Sequence, residues 1–414
     1  MGLFNNDGKS NHTCPIPKSF AIVADQDILP SMSFYSLNMI ISGACTAFVC
    51  VAIFILMFWH AIHLSKPREQ IKILKICFLI PLYTITSFLS ICYPHAFVYL
   101  TPWLDLFQAV ALGSFFLLLC EFIARDSQAN VDVFFVAFQP PQKKGNKAPL
   151  TGLEWFRKQW IAIFQYPVVA LLTSLATDFT QVAGVYCLDS NKVYFAHLWL
   201  TIITSVSIAF AVISVLTFYR TLKSHLASHK PLSKLLAFKL IVGLTFLERI
   251  IFTILRSTNV LKSTSTLSYA DVNIGIPNLV ICLHMVPFSI FFHYAYNVGP
   301  YKLTNGIQVS DPSLQESAAG GYQKPTQGSI PRGYEGGPLG VRAWIGLFNP
   351  MEIIRAIKFG LGMAQAFRRH DIVTTGSQSE FGPNMSPEHM PSTAYGHGYA
   401  TYERLLIPNE QGMR

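Results

Sequence analysis

The stretch "LVICLHMVPFSIFFHYAYNVGPY", Leu279 to Tyr301, is apolar enough for a bilayer, yet His284 lies in mid-run and His293 near its end. Spanning a bilayer takes about 20 apolar residues. This run qualifies, and it is one of seven: 37–62, 73–94, 101–123, 160–182, 196–219, 235–256 and 273–296. Each is bounded by Pro, Lys, Arg or Asn. Backbone groups in lipid must be satisfied within the segment, so runs of this length predict helices. The alternation of a membrane barrel is absent. The expected fold is therefore an all-α polytopic membrane protein with seven spans.

Composition agrees. Of 414 residues, 51% are hydrophobic and only 13% charged, against about 25% charged in a soluble domain. The net charge of +9 comes from basic residues between the apolar runs, which points to membrane topology and not to nucleic acid. The loops after the first, third and fifth runs are rich in Lys and Arg, from Lys66 to Lys234. The N-terminal tail and the remaining loops hold few, such as Lys9, Lys18 and Lys192. This asymmetry predicts an N-terminus outside or in the lumen and a cytoplasmic C-terminus. Residues 1–33 form a polar tail with no cleavable signal sequence, and Asn11 opens a glycosylation sequon on the outer side. Residues 34–300 form the helical domain. Residues 301–414 are rich in Gly, Pro, Ser and Gln and are expected to be mostly disordered. An amphipathic helix near 350–369 stands out in that tail: Ile353, Ile354, Ile357 and Leu361 recur at helical spacing among Arg355, Lys358, Arg368 and Arg369. Its two readings are an interfacial helix on an anionic leaflet and a helix packed on the ends of the bundle.

Ionisable groups inside a span are costly, and they usually face the bundle interior or a wet cavity. By the expected topology, Asp105, Gln108, Glu248 and Arg249 share the outer half with His284 near the midplane, and they are the candidate substrate path. Glu121 and Lys239 share the inner half as a candidate ion pair, as do Arg249 and Asp105 further out. The competing reading is a set of ion pairs that only hold the bundle together. Cys14 and Cys187 both fall on the outer side, where they can pair. The eight cysteines include no CxxC, phosphate-binding Gly loops and nucleophile elbows are absent, and His60 and His63 have no further ligand beside them in sequence. No enzyme, cofactor or metal is expected. A receptor reading fails on "CEFIARD" at the end of the third run, and a retinal protein on the lack of Lys in 273–296.

Several segments resemble the organic solute transporter alpha-subunit family, domain of unknown function 300, which includes the transmembrane protein 184 group. "KPREQIKILKICFLIPLYTITSFLSI" (66–91) carries Pro67, Gln70, Pro81 and Tyr83 as in the family's second helix. "LDLFQAVALGSFFLLL" (104–119), "FYRTLKSHLASHKPLSKLLAFKLIVGLTFLE" (218–248) and "ICLHMVPFSIFFHYAYNVGPY" (281–301) are similar to later family segments, the last through Cys282, Met285, His293, Pro300 and Tyr301. "LFNPMEIIRAIKFG" (347–360) looks like the Asn-Pro segment of fungal members. The resemblance implies seven helices and movement of amphipathic organic anions or sterol-like solutes. Three departures stand out: the family's third-helix Glu is Gln108, its sixth-helix Gln is Glu248, and its seventh-helix Glu is His284.

A second function is an adaptor that recruits cytosolic partners through its tail. Trp344 with Leu347, and Tyr402 with Leu405, fit an aromatic-x-x-aliphatic pattern. Such segments add a strand to a partner's sheet edge, as read by sorting adaptors or autophagy-related ubiquitin-like proteins. Expected partners are thus the lipid bilayer, a small organic solute, such an adaptor, or further subunits in an oligomer, at an endomembrane (vacuole, Golgi, endosome or ER) or the plasma membrane.

Overall fold

The computed structural model describes residues 24, 26–28, 31–126, 134–135, 138–140, 151–188, 192–226, 243–245, 247–248, 250–252, 254–255, 258, 260–302 and 334–362. Within these it is all-helical. Five long helices, α1 (Phe34–Ile62), α2 (Pro67–Cys92), α3 (Phe97–Asp126), α4 (Gly152–Val182) and α5 (Ala196–Thr221), correspond to the first five expected spans. The seventh becomes α6 (Ile276–Ala295), entered through one π-helical turn at Asp271–Gly275. Two short tail helices follow, α7 (Val341–Phe348) and α8 (351–362). The sixth expected span falls partly outside the described residues, and its described positions between 243 and 252 are helical.

Six described helices are long and apolar enough to cross a membrane. The 29 residues of α1 extend for about 43 Å, beyond the ~30 Å hydrocarbon core. Several helices run past their apolar runs into polar sequence. α2 starts at Pro67, a residue suited to the first helical position because its missing N–H has no helical partner there. α4 starts eight residues before its apolar run, at a capping box in which Thr151 and Glu154 satisfy each other's backbone N–H groups.

α2 lies at the centre and packs against α1, α3 and α6, while α4 joins α3 to α5 at the edge. The core is continuous and strongly aromatic toward the start of α4. Phe116, Phe156, Trp160, Phe164 and Phe218 pack ring against ring there. Large apolar side chains such as Phe54, Phe210 and Ile290 face outward, as lipid-facing residues do. α1, α3, α5 and α6 end, and α2 and α4 begin, at one end of the bundle, which carries Lys66, Lys72, Arg157 and Arg220 and is called the basic end below.

Cys187 is joined in a disulfide, and Cys45, Cys50, Cys77, Cys92, Cys120 and Cys282 are free thiols. Cys14 lies outside the described residues, as does Asn11.

Candidate functional site: polar groups within the bundle

At the basic end the charges are paired. Lys72 lies 2.8 Å from Glu352 of α8 and 3.7 Å from Glu121 of α3. Lys75 lies 3.4 Å from Glu352 and donates to the Asn349 carbonyl at 3.0 Å. Burial would push the Glu352 carboxyl up, but the two ammonium groups outweigh it and hold the carboxyl below its usual range. Glu121 therefore has a partner on α2; Lys239, its expected one, lies outside the described residues. The sequence placed Lys72 in a loop and Lys75 in an apolar run, so neither stood out as an ion-pair residue.

These contacts dock the tail. The Trp160 indole donates to the Ala356 carbonyl at 2.9 Å, and Trp344 stacks on Phe54 with ring centroids 5.6 Å apart. Glycines allow the close approach. A Cβ on Gly346 would lie 2.7 Å from Ile71, and one on Gly340, whose φ is +73°, would strike the end of α1. Ile353 and Ala356 are buried, while Ile345, Phe348 and Leu361 are exposed. Of the two sequence readings of this helix, packing on the bundle is therefore seen directly. Trp344 and Leu347 lie on helix α7 with Leu347 buried, so strand pairing through them requires α7 to unwind and leave the bundle. Tyr402 and Leu405 lie outside the described residues.

A second network ties α1, α2 and the end of α6. Buried His60 places Nε2 2.9 Å from the Tyr296 carbonyl oxygen, and the Gln70 amide donates to the carbonyls of His60 and His63. The Tyr301 hydroxyl donates to Glu69 at 3.0 Å. Likewise His293 Nε2 lies 2.8 Å from the Ala52 carbonyl oxygen. These histidines are taken up by backbone carbonyls, which explains two imidazoles in apolar surroundings without chemistry.

The expected path residues divide into two groups. Gln108 is buried and accepts a hydrogen bond from the Tyr83 hydroxyl of α2. Asp105, one turn earlier, is half-buried, and its backbone carbonyl accepts from the Tyr166 hydroxyl at 3.3 Å. His284 instead puts Nδ1 2.6 Å from a carboxylate oxygen of Glu248. Despite that short approach Nδ1 forms no hydrogen bond, and His284 Nε2 and the other oxygen of Glu248 are likewise buried without one among the described residues. Cys282 packs toward Thr46 of α1 and Thr84 of α2. Two residues on is about 200° around a helix, so His284 points away from α2. Gln108 and His284 therefore face different neighbours. Arg249 lies outside the described residues.

Six apolar helices of membrane length around one core, with ionisable side chains turned inward, define a multi-pass helical membrane protein. Residues 38–301 match the family described as organic solute transporter Ostalpha, and the chain belongs to that family. It is 26% identical over 273 residues to the vacuole membrane protein hfl11 of Schizosaccharomyces pombe, covering 63% of this chain and 62% of that protein. It is 25% identical over 309 residues to protein LAZ1 of Arabidopsis thaliana, covering 70% of this chain and 62% of LAZ1. A transmembrane protein 184 homolog of Dictyostelium discoideum is 23% identical over 262 residues, which is 60% of this chain and half of that protein. The chain thus spans less than two thirds of the length of these relatives. No solved structure matches it. The match ends at Tyr301, so the docked tail helices lie beyond it.

Proposed function

We propose that this protein moves amphipathic organic anions, of steroid-conjugate type, along polar groups inside the helical bundle. The observation that carries this reading is the Glu248–His284 pair, 2.6 Å apart, in which both imidazole nitrogens and one carboxylate oxygen are buried without a hydrogen bond. An imidazole that only braced the bundle would have both nitrogens engaged, since orphaned buried polar groups cost about 1–3 kcal/mol each. His284 turns Nε2 toward the anionic head group, and the apolar walls take the sterol-like body. Arg249, next to Glu248 in sequence, is a second cation for the same anion.

Seven crossings fit this reading. α5 and α6 both end at the basic end, and the reading takes the chain between Leu226 and Asp271 as the crossing that joins them. The basic end then faces the cytoplasm by its Lys and Arg content, and the likeness to a vacuole membrane protein favours an endomembrane home. Efflux of a labelled steroid sulfate from proteoliposomes tests the function. Replacing His284 by Ala should lower flux on the order of tenfold, the loss of one charge-assisted hydrogen bond. Flux unaffected by His284→Ala and Glu248→Gln removes the path.

A tail-recruitment role is the second reading, favoured by the exposed Ile345 and Phe348 on α7. Pull-down of a sorting adaptor or autophagy-related ubiquitin-like protein by the full chain, but not by a chain lacking 340–414, supports it; binding that survives truncation ends it.

A further inference from the structure

Away from the basic end, where α1 begins and the π-helical turn leads into α6, a different polar group is left unanswered. Asn38 is only 1% exposed, and neither its side-chain nitrogen nor its oxygen has a hydrogen-bond partner. Asp271 is 2% exposed. One of its carboxylate oxygens, Oδ2, is used locally, accepting from the Ser268 N–H at 2.9 Å. The Ser268 side chain hydrogen-bonds the same carboxylate. A Cβ built on Gly275 would lie 3.1 Å from Asn38 Nδ2, 3.5 Å from Asp271 Oδ1 and 3.7 Å from the Ala270 carbonyl oxygen. Two side chains from separate elements and one backbone carbonyl therefore converge beside a residue with no side chain of its own. The backbone here is a π turn, a rare form that often marks functional positions.

We propose that Asp271, the Asn38 amide and the Ala270 carbonyl form a binding site for a small inorganic monovalent cation. The charge sets the sign of the ligand. Asp271 forms no ion pair among the described residues, and a buried carboxylate without a counter-charge is expensive. The other titratable group facing it, Tyr35, spends its hydroxyl on the Cys92 carbonyl at 2.9 Å. Space sets the size. The three polar groups crowd the side of Gly275 that lacks a side chain, which leaves no room for an organic ammonium. Valence follows from both. A divalent ion would leave one positive charge uncompensated in an apolar setting, and Mg²⁺ demands six oxygens in near-octahedral array. The amide is suited to the role, because its N and O are set by the hydrogen bonds they make. Asn38 makes none, so turning Oδ1 toward Asp271 breaks nothing. Backbone carbonyls at irregular helix turns coordinate such ions in membrane proteins. Bound there, the ion joins α1 to the start of α6.

Thermal unfolding of the full chain in detergent, at equal ionic strength in NaCl, KCl or choline chloride, tests the site. A cation that binds only the folded state raises the unfolding temperature by mass action. The expected result is a higher midpoint in Na⁺ or K⁺ than in choline, growing with concentration. Asp271→Asn should abolish the difference. Gly275→Ala should also abolish it, although alanine on its own favours a helix; it keeps the charge and the Ser268 hydrogen bond and fills the space. The midpoint being equal in all three salts would overturn the proposal and leave a water as the occupant. So would an ion response that survives Asp271→Asn or Gly275→Ala. Should Asp271→Asn fail to fold, Gly275→Ala decides. Binding of ²²Na⁺ to the folded protein, displaced by unlabelled NaCl but not by choline, is the direct readout.

Discussion

The two ends of this bundle treat buried charge in opposite ways. At the basic end Lys72, Lys75, Glu121 and Glu352 satisfy one another across α2, α3 and α8. In the rest of the bundle Asn38, His284 and Glu248 hold buried polar atoms that are left open. Removing one partner of a satisfied buried pair strands the other charge and destabilises the fold. Removing a group that is already unpartnered costs little, so its reason for being there is sought in binding. The same element, α2, contributes to the closed cluster, while Asn38 sits on α1, His284 on α6 and Glu248 in the 243–255 segment.

The largest effect expected from this contrast is at Glu352. Glu352→Ala removes the carboxylate partner of Lys75, whose side chain is 4% exposed, leaves Lys72 with Glu121 alone at 3.7 Å, and should cost about 3 kcal/mol, the low end for a broken buried pair because Glu352 itself is 30% exposed. Limited proteolysis within 334–362, together with thermal unfolding, reads the loss. A tail as protected as wild type would mean that the pairing does not hold it. The same carboxylate sets a pH dependence. Its folded-state pKa is depressed, so its contribution is complete above the ordinary carboxylate value, about 4.3. The contribution is lost as pH falls through the lower folded value. Tail protection should therefore persist through pH 5 and fail only in stronger acid.

Next in size is Tyr83→Phe, which leaves the buried Gln108 oxygen without its donor. About 1–2 kcal/mol is expected, read by chemical or thermal unfolding. Phe54→Ala removes the ring under Trp344 and should cost about 1 kcal/mol beyond lost area, with tryptophan fluorescence reporting the change. The smallest stability effect belongs to the open pair: His284→Gln should shift unfolding by less than about 1 kcal/mol while solute flux falls. A large destabilisation there, with flux intact, would move His284 to the structural class and erase the contrast.

How much of this could be read from sequence differs by residue. The helices were legible because lipid imposes one length and one pattern. Their polar extensions were not, since α2 begins at Pro67 and α4 at Gly152, ahead of any apolar periodicity. The Glu248–His284 neighbourhood was foreseeable from matching depth on adjacent spans. Gln108 shared that depth, but its partner is the Tyr83 of a helix on another side, a choice made by rotation about helix axes that hydropathy does not encode. Glu352 was visible only as part of an amphipathic pattern, because its lysines lie 277 and 280 residues earlier in the chain. The tail's glycines at 340 and 346 were the available signal, since close packing of a helix on a bundle needs them. Asn38 carries no sequence mark at all; its burial and its lack of partners exist only in three dimensions.

The docked tail has a consequence in terms of concentration. α7 and α8 belong to the same molecule as the surface they cover, so they compete for it at an effective concentration on the order of millimolar. A separate protein seeking the face of α2 around Ile71 and Lys75, present at micromolar levels, would be outcompeted unless it bound that face about a thousandfold more tightly than the tail does. The tail therefore reserves one surface of the bundle for itself, and anything that loosens Glu352 from its lysines would release that surface and the buried side of α7 together.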